Sequence, residues 1–188
     1  MALPDGRFDM KWSILLSGLM LIQVTQQIAG VNVKKISAPQ KALQFDVVVS
    51  ANTTDVWSAF TTNSGLKTWL WSDVEVDLKP GGNWLVNYPG GKTGGGTIVS
   101  FETRKRITIR AMAPEQFPTV RRQRTTAVFE FEPVDAGHTR VKLTQTGWKE
   151  GKEWDDAYEY LATGNAQLLA QLKLRFDKGP IDWTKLPG

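Results

Sequence analysis

The chain has 188 residues, of which 41% are hydrophobic and 22% charged, a balance that suits one soluble domain able to bury a full core. It has no cysteine, which excludes a disulfide framework, a thiolate metal site and a cysteine nucleophile. The net charge of +4 is a small excess, and no nucleic-acid recognition motif accompanies it, so no nucleic-acid partner is expected.

Residues 1–30 read as a signal peptide or N-terminal hydrophobic segment. Lys11 precedes an apolar run from Trp12 to Val24, which has the length of a signal core and is short for a membrane span of ~20 residues. Ile28-Ala29-Gly30 offers a cleavage site with small Gly30 last. The expectation is export to a periplasmic or extracellular space, with no stable membrane span after processing. An uncleaved segment would leave the chain membrane-anchored or cytoplasmic. Residues 31–40 read as a polar linker, in which Pro39 disfavours helix.

The predicted domain runs over 41–180, with 181–188 as a C-terminal tail. Leu43, Phe45, Val47 and Val49 alternate with Gln44, Asp46, Val48 and Ser50, the two-residue period of a strand. Asn52-Thr53-Thr54-Asp55 then supplies capping oxygens for a helix through Val56, Trp57 and Phe60. Leu66 to Leu70 reads as a second helical turn. Strands follow over Ser72–Leu78, Asn83–Tyr88, Thr97–Glu102, Arg106–Met112, Thr125–Glu132 and Thr139–Thr146. Pro89 to Gly96 reads as a glycine-rich hairpin connection and Ala113 to Arg122 as an irregular excursion. A helix from Glu153 to Phe176 carries Trp154, Tyr158, Leu161, Leu168 and Leu172 on one face, and Gly179-Pro180 stops it. The fold class is α+β: a curved antiparallel sheet of about seven strands around a long C-terminal helix, with two short helices after the first strand.

Eight Trp and eight Phe are many for this length. Alternation points Trp84, Tyr88, Phe129 and Phe131 inward from the sheet, and Trp154 and Tyr158 inward from the helix. Trp69 and Trp71 lie in the segment that would close one end. These rings either fill a solid core or line a cavity, where the polar tips of Trp and Tyr would orient an apolar ligand.

Other motifs carry less. Gly91-Lys92-Thr93 has the end of a phosphate loop, but Val86 stands where its first glycine belongs and a strand follows. His138, the single histidine, sits at a turn with no second ligand beside it, so neither a metal nor another cofactor is expected. Asp155, Asp156 and Glu159 suit the positive end of the long helix. Arg104, Lys105, Arg106, Arg110, Arg121, Arg122 and Arg124 make a basic middle that is either a solvated face or a patch for anionic lipid, nucleic acid or an acidic partner, though no nucleic-acid motif accompanies it.

The order of elements, with certain strings, resembles the SRPBCC superfamily (START/Bet v-like, helix-grip), and within it the homologues of the activator of the heat-shock-protein-90 ATPase. The strings are Ala51 with Asp55-Val56-Trp57 and Ala59-Phe60, then Leu66 to Trp71, then Asp77 to Trp84 through Lys79-Pro80-Gly81-Gly82. Gly96-Thr97-Ile98-Val99, Thr125 to Pro133 with Gly137 to Val141, and Gly164 with Leu168-Leu169-Leu172-Lys173 follow. The resemblance implies a cavity between sheet and long helix that holds an apolar small molecule. The ligand-binding set is then Trp69, Trp71, Trp84, Tyr88, Phe129, Phe131, Trp154, Tyr158, Leu161 and Asn165. It carries over no catalytic set. The sequence departs from the family at Asn165, where a Trp usually follows the glycine, and in its export-like segment, since the family is mostly cytoplasmic. The expected function is a non-enzymatic binding protein for a lipid-like or aromatic molecule. The alternatives are a stress-response or co-chaperone-like protein with a protein partner, and a cyclase or hydrolase using Tyr88 or carboxylates in the cavity.

Overall fold

The computed structural model describes residues 24–185. The apolar run expected to direct export lies outside the described residues up to position 23. Strands β1 (Val24–Ile28) and β2 (Val31–Ile36) form a hairpin ahead of the predicted domain. Ala29 and Gly30 turn it with φ of 47° and 83°. Residues 31–40 are therefore not a linker. Val31 and Val33 are buried, and β2 pairs with the next strand from Asn32↔Asp46 to Ile36↔Ala42. Asn32, between those valines, is exposed, the outer half of a two-residue alternation.

The predicted order then follows: β3 (Ala42–Val49), α1 (Thr53–Thr61), α2 (Asn63–Lys67), β4 (Val74–Val76), β5 (Asn83–Tyr88) and β6 (Lys92–Glu102). After these come β7 (Arg106–Ala111), α3 (Pro118–Gln123), β8 (Thr125–Pro133), β9 (Thr139–Thr146) and α4 (Lys152–Lys178). The nine strands of the described residues join one antiparallel sheet in the order β1-β2-β3-β9-β8-β7-β6-β5-β4. The seven predicted strands are all present, and the hairpin adds two at one edge.

Local chemistry sets the boundaries. Asn52 Oδ1 accepts from the Asp55 N–H at 3.0 Å and caps α1, and Thr62 Oγ1 accepts from the Gly65 N–H at 2.9 Å and caps α2. The glycine-rich connection is shorter than its sequence suggests: a turn at Pro89–Gly91 suffices, and β6 begins at Lys92. A register shift between Ile98 and Ser100 breaks the pairing of this long strand. In the excursion, Pro118 opens α3, and Glu153 at the start of α4 accepts from the Thr119 and Val120 N–H groups at 2.6 and 3.1 Å. The tail is docked as far as residue 185. Ile181 N–H donates to the Thr68 carbonyl at 2.9 Å, and the Trp183 ring lies 5.0 Å from Trp71.

The core lies between one sheet face and α4. Tyr158, Ala162, Ala166, Leu169 and Leu172 form the buried line of the helix. Leu161 and Leu168, predicted on that line, are only half-buried and stand on its flank. That offset defines the site.

Candidate functional site: a cavity beside the long helix

α4 packs chiefly on β3 and β2. Its other flank faces β5 and β6 across a cavity of about 520 Å³. Leu70, Trp84, Val86, Leu161 and Leu168 form its apolar walls, and Lys92, Glu115 and Tyr160 stand among its outer residues. A recess of about 90 Å³ continues inward past Trp84, Leu161, Asn165 and Leu168 to Ile109, Phe129 and Leu143. The main volume is within the range of small-molecule sites.

Two glycines keep this space open. Gly95 on β6 has φ of 92°, and a Cβ there would stand 2.1 Å from the Trp84 carbonyl oxygen. A larger residue would push β5 and β6 apart and move Trp84 off the wall. Gly164 sits in the middle of α4 and lines the cavity, with nothing within 4 Å of where its Cβ would be. A mid-helix glycine costs about 1 kcal/mol relative to alanine, so the open space here is held at the helix's expense.

The inner polar groups form one chain. Asn165 Nδ2 donates to Gln145 Oε1 at 2.7 Å, and Gln145 Nε2 donates to Thr125 Oγ1 at 2.8 Å. Gln145 and Thr125 are each 3% exposed. Three neutral groups satisfy one another on an otherwise apolar floor. At the mouth, Arg121 of α3 donates to the Thr93 and Ala113 carbonyls at 3.0 and 2.8 Å and to the Thr93 hydroxyl at 2.6 Å. This side chain ties the start of β6 to the segment after β7.

The ten residues of the predicted set divide. Trp84, Tyr88, Leu161 and Asn165 line the cavity, and Phe129 closes the recess. Trp71 stands behind the rim, its ring 5.6 Å from that of Tyr88. Trp69 and Phe131 pack instead around Phe60 of α1, at 4.9 Å each. Trp154 joins a separate small core with Phe117 and Val120. Tyr158 lies at the far end of α4, where its hydroxyl donates to the Ala42 carbonyl at 2.9 Å. These four fall outside the cavity wall, because a shared helix face or strand parity fixes which side a residue is on but not how far along the sheet the gap extends. Three of the ring tips, that of Tyr158 among them, are spent on the fold. Trp69 and Trp84 Nε1 donate to the Ala59 and Phe60 carbonyls, both at 2.9 Å, satisfying the end of α1.

Leu70, Met112, Gln145 and Leu168 are wall residues absent from the predicted set. Leu168 was legible at seven residues from Leu161, and Gln145 as a polar residue on the inward parity of its strand. Met112 follows the end of a strand and carried no signal.

A wider, open depression of about 1270 Å³ lies between residues 35–41 and 148–151, beside Tyr158. Four of its charged groups answer one another, Lys41 with Asp155 and Lys35 with Glu159. It is the larger space, but it is more open and lacks an enclosed apolar interior. Asp156 pairs with Lys152 at 2.6 Å, so the acidic start of α4 serves ion pairs. His138 contacts Asp135 at 2.9 Å in an exposed turn, and no metal-competent cluster of His, Asp and Glu occurs among the described residues.

Burial pushes the Tyr88 phenol above its ordinary value, with Tyr160 adding to the effect. Tyr88 therefore keeps its proton at neutral pH. The basic stretch is partly neutralised, because Arg106 pairs with Glu102 and Arg121 is turned into the mouth. Burial first, and then the nearby Arg121 and Arg110, lower the Arg124 guanidinium.

Residues 50–177 match the family model described as "Activator of Hsp90 ATPase homolog 1-like protein". No curated protein matches the sequence. Among solved structures, the Aha1 dimer from Colwellia psychrerythraea is 22% identical, with a TM-score of 0.60 over 73% of this chain and 97% of its own. Protein MLL2253 from Mesorhizobium loti is 18% identical, with a TM-score of 0.62 over 74% of this chain and 99% of its own. CalU16 from Micromonospora echinospora is 19% identical, with a TM-score of 0.56 over 85% of this chain and 88% of its own. These likenesses are of fold, and the nine-stranded sheet closed by α4 is an extended helix-grip of that kind. The chain belongs to the family of Activator of Hsp90 ATPase homolog 1-like proteins, within the SRPBCC superfamily.

Proposed function

We propose that the protein is a binding protein that holds a mostly apolar small molecule between the sheet and the flank of α4. One observation carries the reading: the cavity of about 520 Å³ has walls of Leu, Val and Trp and is kept open by Gly164 at a cost to the helix. The polar side chains deepest in it, Asn165 and Gln145, are carboxamides that do not titrate. They suit recognition better than acid–base catalysis. Native mass spectrometry of protein purified from its own cells tests this. An adduct of small-molecule mass that disappears in a cavity-filling variant is expected, and uniformly empty protein that also fails to take up apolar probes would refute the reading.

A second reading is a co-chaperone-like interaction, favoured by the family match. Under it, Arg110→Glu with Arg122→Glu would abolish capture of a protein partner and leave probe uptake intact. The proposed location is outside the cytoplasm. A cut after Gly30 falls in the β1–β2 turn and leaves β2 as the sheet edge. N-terminal sequencing of the native protein tests it, with Val31 as the expected first residue and an intact N-terminus as the contrary result.

A further inference from the structure

The cavity floor is not uniformly apolar, and its polar part has a definite vocabulary. Gln145 is almost wholly buried on β9, held between the Thr125 hydroxyl and the Asn165 carboxamide. Asn165 lies on the wall of both the main cavity and the recess. As the chain of hydrogen bonds runs, Asn165 Oδ1 takes no protein partner among the described residues. It is not among the buried polar atoms left without one, so it opens onto the cavity. The chain can also run the other way, since a threonine hydroxyl donates as well as accepts and each carboxamide turns over at equal shape. Asn165 then presents Nδ2 to the cavity in place of Oδ1.

We infer that the ligand is a neutral, mostly apolar molecule bearing a hydroxyl group, an alcohol or phenol, whose oxygen meets Asn165 at the inner end of the cavity. This rests on the binding role proposed above and specifies its ligand class. A hydroxyl answers either direction of the chain, donating to Oδ1 or accepting from Nδ2. A ketone or ether answers only one. A carboxylate also answers only one, and it would leave its charge buried beside carboxamides with no cation at hand. The charged residues of the site, Lys92 and Glu115, lie toward the mouth with the segments tied by Arg121.

Three probes of one shape separate the possibilities at pH 7: 2-naphthol, 2-methylnaphthalene and 2-naphthoate. Each competes with the neutral dye N-phenyl-1-naphthylamine for the full chain. In the wild type, 2-naphthol should displace the dye, and 2-naphthoate should be at least on the order of tenfold weaker. In Asn165→Leu, the affinity of 2-naphthol relative to 2-methylnaphthalene should fall on the order of tenfold, the worth of one hydrogen bond. If the dye and probes bind but that ratio is unchanged, the hydroxyl assignment is wrong and the binding role stands. Equal binding of 2-naphthoate and 2-naphthol in the wild type overturns the neutral class without any variant. If neither dye nor probes bind, the binding role falls and this inference falls with it.

Discussion

Arg121 grips Thr93 twice, with Nη1 donating to its carbonyl oxygen at 3.0 Å and Nη2 to its hydroxyl at 2.6 Å. The same guanidinium donates to the Ala113 carbonyl at 2.8 Å. Two separate segments of the cavity mouth are therefore held by one planar side chain, a task that suits the fixed fork of arginine. Arg121→Met keeps the stem and removes the fork, stranding acceptors on both segments. It should cost about 1–3 kcal/mol in denaturant unfolding and speed amide exchange at residues 92–95. Unchanged exchange there would show that the mouth is held by other contacts.

Gly164 gives the opposite sign. A methyl group added there meets open space, and alanine restores helix propensity. Gly164→Ala should raise stability by about 0.5–1 kcal/mol, a Tm increase of a few degrees, and should weaken uptake because the methyl enters the cavity. Thermal melting and dye titration on the same sample check both halves.

The acid limb of stability should depend on Glu153. Burial raises its carboxyl, but hydrogen bonds from the Thr119 side chain and the Val120 and Thr119 N–H groups outweigh burial and hold it below its ordinary 4.5. A carboxyl lowered in the folded state adds stability that is present above the unfolded value and lost as pH falls through the folded one. Glu153→Gln keeps an acceptor and drops the charge. The wild type should melt above this variant at neutral pH, and the gap should close as pH falls below the ordinary 4.5 and through the lowered folded-state value. A gap that persists in acid would place the effect in packing instead of charge.

Strand β2 should be integral to stability. Val31 is fully buried and Val33 nearly so, and β2 covers the edge of β3. A chain beginning at residue 37 loses both side chains, each worth roughly 1.5–3 kcal/mol, and exposes a hydrophobic strand edge. It should melt well below the full chain and associate at high concentration. Equal melting and a monomeric elution profile would show that the sheet is complete without it.

Much of the fold was legible because it rests on local periodicity. The seven strands from Ala42 onward, the Asn52 cap and the α4 stripe all follow from spacing within one element. The hairpin was not legible, because β1 falls within the stretch read as the end of a signal segment, and Lys34-Lys35 made the next strand look like a linker. α3 depends on a cap delivered by Glu153, more than thirty residues away in sequence, and no local pattern announces that. The site was half legible. Parity placed Trp84 and Phe129 inward, and the resemblance singled out Asn165. Which inward rings border space, as Trp84 does, and which meet another ring, as Trp69 meets Phe60, is set by the lean of α4 toward β2 and β3.

The central claim is that the space beside α4 is a ligand site. Calorimetric titration of the wild type and of Leu168→Trp with N-phenyl-1-naphthylamine, at two temperatures, tests it most directly. Leu168 borders both the cavity and its recess, so an indole there fills the space where a ligand would lie. A ligand site beside α4 requires single-site binding to the wild type with a negative heat-capacity change, and binding at least about tenfold weaker in Leu168→Trp at similar Tm. Absent binding in the wild type, or equal binding by the filled variant, would contradict it.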